Sequence, residues 1–185
     1  MCAFSAAEGK LFFEDWLRTF GPEISSILDI GPGAGIYGEI ARKVKPQIQL
    51  HAIEVFEPYI QRFDLSSKYD FIQVEDVTKT KIGNYDLIIV GDVLEHIERT
   101  DAYNLFQNLK SKCKFLWLSL PVKKFRGWYS GYNQPESDWK ENIYEKHLYN
   151  WDYDEILLQL GPFLWQCPFK TIVVLIAEGK DLERT

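Results

Sequence analysis

The sequence is poor in cysteine and histidine, with three of each among its 185 residues. The cysteines are Cys2, Cys113 and Cys167, which form no CxxC pair and have no histidine at metal-ligand spacing. This argues against a disulfide scaffold and against a structural zinc site, and it fits reduced thiols in a cytosol. We therefore expect a cytoplasmic protein.

Long apolar runs and an excess of positive charge are also missing. The longest aliphatic run, Ile172 to Ala177, is far too short to span a bilayer, and Met1 to Ser5 lacks the charged region of a signal peptide. No membrane is therefore expected as a partner. A net charge of −6 and a pI near 5.2 give no basic surface of the kind that phosphate backbones require, so nucleic acid is not expected either.

What remains is an ordinary globular composition, with 46% hydrophobic and 26% charged residues. A chain of this length is expected to form one domain with a full core, so we take residues 1–185 as a single domain. Within it, residues 1–22 are predicted to contain an amphipathic helix that ends at Gly21-Pro22. Its predicted apolar stripe is Leu11, Phe12, Trp16, Leu17 and Phe20, with Ser5 as a candidate N-cap.

Residues 26–41, SILDIGPGAGIYGEIA, contain a predicted strand, a glycine turn and the start of a helix. Gly31, Gly33 and Gly35 stand at alternate positions after the buried strand. Glycine adopts positive φ without steric cost and lets a ligand approach the backbone, while the start of a helix offers free N–H groups. The turn is therefore predicted to bind an anionic or polar group.

Two families of cofactor-binding proteins use such a turn. Counted from Gly33, G-A-G-I-Y-G matches the nicotinamide dinucleotide fingerprint, and Glu54 stands 54 − 33 = 21 residues on, where a ribose-binding acid is expected. Counted from Asp29, D-I-G-P-G-A-G resembles motif I of the class I S-adenosylmethionine (SAM)-dependent methyltransferases. A carboxylate at Glu54 can accept hydrogen bonds from vicinal ribose hydroxyls, so it serves either cofactor.

A second motif favours the methyltransferases. The apolar strand predicted over residues 85–90 runs directly into residues 91–97, GDVLEHI. D-V-L-E-H-I at this place resembles motif IV of small-molecule class I methyltransferases, and we know no equivalent in the nicotinamide enzymes. The resemblance now covers residues 26–97 in order and at family-like spacing.

The resemblance implies a three-layer, Rossmann-like α/β fold with SAM as the cofactor. The sequence contains seven predicted strands with an antiparallel hairpin at the end, and the family implies the sheet order 3-2-1-4-5-7-6. Asp76 matches the position whose carboxylate reaches the adenine amino group, and Asp92 is assigned to the cofactor pocket. The residues expected to bind the cofactor are Asp29, Gly31, Gly33, Gly35, Glu54, Asp76 and Asp92.

Residues 122–150 are an aromatic-rich insert that follows a fifth strand, which is predicted to end at Pro121. A connection this long is unusual unless it is functional, and it leaves the edge where open α/β sheets bind ligands. We expect a substrate lid. The alternative is a surface excursion whose rings cover the body of the protein or form a homodimer contact. The predicted wall of the substrate site is Trp128, Tyr129, Tyr132 and Trp139.

Methylation of an oxygen or nitrogen also releases a proton, which a nearby base can take. His147, at the end of the insert, is the first candidate because imidazole titrates near neutrality, and His96 is the second. No cluster of Asp and Asn ligands follows the fourth strand, so no metal is expected. The expected function is SAM-dependent methyl transfer (EC 2.1.1) to a small-molecule substrate. The alternatives are a nicotinamide-dependent oxidoreductase and a non-catalytic methyltransferase-like binding module.

Overall fold

A β-sheet with helices on both faces organises the chain, whose computed structural model describes residues 8–125, 128–129, 134, 136–169 and 172–180. The helices are α1 (Glu8–Phe20), α2 (Ile36–Val44), α3 (Pro58–Arg62), α4 (Arg99–Lys110) and α5 (Tyr153–Leu160). The strands are β1 (Ser26–Ile30), β2 (Gln49–Glu54), β3 (Phe71–Val74), β4 (Tyr85–Gly91), β5 (Cys113–Phe125), β6 (Trp128–Tyr129), β7 (Trp151–Asp152), β8 (Trp165–Pro168) and β9 (Ile172–Glu178).

The main strands lie in the order β3-β2-β1-β4-β5-β9-β8. The first five are parallel, whereas β9 is antiparallel to both β5 and β8. This confirms the expected seven-stranded order with its terminal antiparallel hairpin. The short strands β6 and β7 pair with the far end of β5.

The central strands are apolar on both faces because helices cover both faces. Leu28 and Ile30 of β1 pack in the cluster that contains α4 and α5, whereas Ile27 packs on the opposite side with α1 and α2. On that second side, the Trp117 ring of β5 lies 4.9 Å, centroid to centroid, from the Phe13 ring of α1. The sheet is thus the middle of three layers.

The buried face of α1 differs from the predicted stripe. Phe13, Trp16 and Leu17 are buried, while Leu11 is 75% exposed and Phe20 is 48% exposed. The placement of Leu11 and Phe20 in the core stripe was wrong. Helical residues are spaced by about 100°, so Leu11 lies about 200° around the axis from Phe13 and faces outward. The candidate N-cap Ser5 lies outside the described residues.

The fifth strand does not end at Pro121, as predicted, but continues to Phe125. The last residue of β5 that pairs with β4 is Ser119, opposite Gly91, and from Val122 onward β5 pairs with β6 and β7. A proline is tolerated in a strand where no ladder hydrogen bond is required of its nitrogen. No helix among the residues that the structure describes has the length and apolar character needed to cross a membrane.

Candidate active site

The glycine turn has the backbone conformation that its sequence predicts. Gly31, Gly33 and Gly35 have φ values of 62°, 53° and 75°, which glycine adopts more readily than other residues. Gly35 is the N-cap of α2, so the helix begins at Ile36. The turn therefore presents three successive left-handed glycines at the carboxyl end of β1.

Glu54, the last residue of β2, lies against this turn. Its Oε2 accepts a hydrogen bond from the Gly33 N–H at 3.3 Å, and its Oε1 accepts one from the Phe56 N–H at 2.8 Å. Its exposed fraction is only 4%. Burial raises the pKa of Glu54 to about 7, although both backbone N–H groups oppose this. A buried acid that titrates near neutrality thus stands beside Gly33.

Asp29 of β1 is a second buried acid. Its Oδ2 accepts a hydrogen bond from the Tyr69 hydroxyl at 2.6 Å. Burial raises the pKa of Asp29 to about 6, while Tyr69 and the charge of Lys10 lower it. This contact was not predicted, because Tyr69 is 40 residues away from Asp29 along the chain.

We expect Tyr69→Phe to lower the free energy of unfolding by ~1.5–3 kcal/mol, because the buried Asp29 carboxyl loses a hydrogen bond of the charge-assisted kind. Urea denaturation at pH 8 measures the loss. Tyr85→Phe is the matched control, since the Tyr85 hydroxyl bonds to His51 Nδ1 at 2.9 Å in a half-exposed setting. Equal losses from the two variants would contradict a special role of the Asp29 contact.

Asp92 follows β4 in the left-handed region, with φ of 56°. Its N–H donates to the Ser119 carbonyl oxygen at 2.9 Å, and its Oδ1 accepts from the Ser119 hydroxyl at 2.8 Å. Lys10 of α1 reaches the same region: it is 8% exposed, and its Nζ lies 3.3 Å from the centroid of the Tyr37 ring. Burial lowers the pKa of Lys10 to about 8, while the charges of Asp92 and Asp29 raise it.

Three of the predicted acids are therefore brought together. The charge of Asp29 raises the pKa of Glu54, and Asp29 and Asp92 both act on Lys10. Asp29 lies within β1, Glu54 is the last residue of β2, and Asp92 comes just after β4. Lys10 was missed in the sequence because a lysine in an amphipathic helix is ordinarily solvated.

Asp76 stands apart from this group, two residues after β3. Its Oδ1 accepts from the Thr78 N–H at 3.0 Å and from the Thr78 hydroxyl at 2.7 Å, and its Oδ2 pairs with Lys79 Nζ at 3.0 Å. Both carboxylate oxygens thus have local partners that stabilise the turn. Its contact with adenine stays a prediction.

The insert lies against α3. The Tyr59 hydroxyl of α3 donates to Glu145 Oε1 at 2.9 Å, and burial raises the pKa of Glu145 to about 7. Beside this contact, a cavity of about 250 Å³ lies between α3 and the insert. Among the residues that line it are Phe56, Tyr59 and Arg62 on one side and Glu141 and Asn142 on the other. The insert therefore stands near the carboxyl end of β2, where a lid would be needed.

The predicted substrate wall is only partly described. Trp139 is half-buried, and Lys146 Nζ lies 5.0 Å from the centroid of its ring. Trp128 and Tyr129 form β6, which pairs with β5, and the description does not extend to their side chains. Tyr132 lies outside the described residues. The wall stays a prediction.

The two candidate bases are brought together. The centroids of the His96 and His147 rings lie 4.9 Å apart, with an angle of 76° between the ring planes. Burial lowers the pKa of His96, although hydrogen bonds to backbone groups oppose this. The insert is held here by the N–H groups of Leu148 and Tyr149, which donate to the Glu95 carbonyl oxygen at 2.8 and 3.1 Å.

No protein-family model and no curated protein matches the sequence. Solved structures do share the fold. The N-terminal domain of EvdMO1 with S-adenosylhomocysteine (SAH) bound superposes with a TM-score of 0.67 at 12% identity, over 95% of this chain and 83% of that one. Magnesium protoporphyrin IX methyltransferase from Synechocystis PCC 6803 with bound SAM superposes with a TM-score of 0.65 at 17% identity, over 94% of this chain and 79% of that one. Mitomycin 7-O-methyltransferase gives 0.60 at 14% identity, over 94% of this chain and 56% of that one.

The chain has the Rossmann-like methyltransferase fold. Within this methyltransferase fold, the overlap with the nicotinamide fingerprint has a structural explanation. A Cβ on Gly38, the third glycine of that pattern, would lie 2.5 Å from the Tyr69 hydroxyl and ring. Gly38 therefore makes room for the tyrosine that bonds to Asp29, and the pattern needs no dinucleotide to account for it.

Proposed function

We propose that the chain binds SAM and transfers its methyl group to an oxygen or nitrogen of a small-molecule acceptor. The observation that carries the proposal is the convergence of Asp29, Glu54 and Asp92 on the edge of the sheet that holds the glycine turn. The shared fold with structures that hold SAH or SAM supports it.

The residues at this edge suit the chemistry of SAM. The glycine turn would let the ligand approach the backbone, and Glu54 would accept hydrogen bonds from the two ribose hydroxyls. Asp92 and Lys10 carry opposite charges, which suit the ammonium and carboxylate groups of the amino-acid end. Gly31 and Gly35 shape the turn, and Asp76 is proposed to contact the adenine amino group.

SAM supplies a methyl group that its sulfonium already activates for in-line displacement. The protein therefore has to orient the acceptor and exclude water, and orientation of this kind is worth roughly 7 to 11 kcal/mol of barrier. We assign this work to the insert, which the Tyr59–Glu145 hydrogen bond fixes beside the carboxyl end of β2. Trp128, Tyr129, Tyr132 and Trp139 are proposed to hold the acceptor.

His147 and His96 are the proposed proton acceptors. Burial lowers the pKa of His96, so its imidazole is neutral at pH 7 and holds a lone pair. His147 is half-buried beside it. A neutral imidazole that meets the acceptor can take the proton that methylation releases.

Thermal unfolding tests the cofactor. We expect SAM or SAH at 100 times its dissociation constant to stabilise the protein by ~2.7 kcal/mol and to raise Tm by about 5–10 °C, because the ligand binds only the folded state. NAD is expected to leave Tm unchanged. A shift with NAD alone would favour the oxidoreductase, and no shift with any of the three would remove the proposal.

Titration calorimetry with SAM then tests the alternative of a non-catalytic module, which has no reason to retain micromolar affinity.

A further inference from the structure

A cluster of three metal-ligating side chains lies where the insert meets the end of β4. Glu95 and His96 belong to the 3₁₀ turn Leu94–His96, and His147 comes from the insert. One ligand atom from each residue lies within 4.8 Å of the others. The two hydrogen bonds from the insert to the Glu95 carbonyl oxygen fix this approach.

The His96 ring is oriented as a metal ligand requires. Its Nδ1 lies 3.2 Å from the Lys146 carbonyl oxygen. A carbonyl only accepts, so Nδ1 must carry the proton and Nε2 must hold the lone pair. That lone-pair nitrogen lies 3.8 Å from Glu95 Oε1. Metal-bound histidines characteristically donate their other ring N–H to a carbonyl or carboxylate, which fixes the ring in this way.

Glu95 is a buried acid, and among the described residues its Oε2 has no hydrogen-bond partner. Its exposed fraction is only 1%. Its 3.8 Å separation from His96 is too long for a hydrogen bond. A cation between the two groups would satisfy both.

We propose that Glu95, His96 and His147 bind a divalent transition-metal ion, for which Zn²⁺ is the best match. Two imidazole nitrogens and one carboxylate oxygen are the donor set of catalytic zinc sites, which keep a fourth position open. Bonds of about 2.0–2.1 Å place tetrahedral donors about 3.4 Å apart, so ligand atoms that lie up to 4.8 Å apart must approach by up to about 1.4 Å. His147, which is only half-buried, can supply this movement.

The site was not expected from the sequence, because its third ligand, His147, comes from the distant insert. The metal site does not depend on methyl transfer, because the experiment that tests it measures metal binding. It also competes with the general-base role of the histidines, because a metal on Nε2 of His96 occupies the lone pair that a base needs. Metal binding and proton acceptance at that atom therefore exclude each other.

Titration calorimetry with ZnCl₂ on chelator-treated protein, with accessible thiols alkylated, tests the proposal. We expect one Zn²⁺ per chain with micromolar or tighter affinity, and Co²⁺ in its place should give visible absorption bands typical of low coordination number. His147→Gln is expected to weaken binding at least 100-fold. His51→Gln is the matched control, because His51 lies on β2 and bonds to Tyr85. Absence of stoichiometric binding, or equal losses from the two variants, would overturn the site.

Glu95→Gln gives a second readout that a purely structural residue would not. The variant keeps the shape of the side chain and replaces the carboxyl with an amide, which is a weak metal ligand, so the metal-free protein should stay folded. The rise in Tm that Zn²⁺ causes in the parent protein should disappear. An unchanged response to Zn²⁺ would contradict the assignment of Glu95 as a ligand.

Discussion

Gly33→Val is expected to weaken SAM and SAH binding by more than about 100-fold, or ~2.7 kcal/mol, while the fold persists. The ligand is proposed to lie beside the Gly33 backbone, and a valine side chain there would occupy its space. The left-handed φ of 53° costs an L-residue roughly 1–2 kcal/mol, which lowers stability without unfolding a typical domain. Calorimetric titration and urea denaturation of the same preparation separate the two effects.

Two other glycines serve as controls for this prediction. A Cβ on Gly83 would lie 3.8 Å from the Tyr85 ring, an ordinary contact, so Gly83→Val should leave both stability and affinity near the parent values. A Cβ on Gly31 would lie 2.7 Å from Val93, so Gly31→Val should lose stability as well as affinity. Retention of SAM affinity in Gly33→Val, within about threefold, would place the cofactor elsewhere.

The fold was predictable because its central strands carry a simple signal. Strands β1, β4 and β5 lie between two helical layers, so each is a nearly continuous apolar run, and glycines mark the turn after β1. Boundaries were less predictable. The end of β5 depends on which strands pair with it once β4 has ended. The start of α2 depends on the left-handed conformation of Gly35. Neither is visible in local sequence.

Within the candidate site, Glu54 could be predicted because it stands at a fixed sequence distance from the glycine motif. Glu54 stands 21 residues from Gly33, and its carboxylate meets the Gly33 N–H in the structure. Tyr69 and Lys10 had no such signal, because their contacts arise only when distant segments pack against β1. The partnership of His96 with His147 likewise depends on how the insert returns to the sheet.

SAM affinity is expected to rise as the pH increases through about 7. The pKa of Glu54 in the folded protein is about 7, raised from 4.5, and ribose hydroxyls donate best to the ionised carboxylate. Below this pKa the protein must release a proton to bind, so affinity should fall by up to about tenfold per pH unit. Titration calorimetry at pH 6, 7 and 8, in buffers of different ionisation enthalpy, measures affinity and proton release together.

Glu54→Gln should weaken SAM binding by roughly 100-fold, because about two charge-assisted hydrogen bonds are weakened, and should remove most of the pH dependence. Glu57→Gln is the matched control, since Glu57 is exposed at the start of α3.

The stability of the protein without cofactor gives an independent check on the pKa of Glu54. A folded-state pKa raised from 4.5 to about 7 contributes stability that is complete below pH 4.5 and is lost as the pH rises through 7. The parent protein should therefore lose stability relative to Glu54→Gln across this interval, and a constant difference would show that Glu54 does not titrate there.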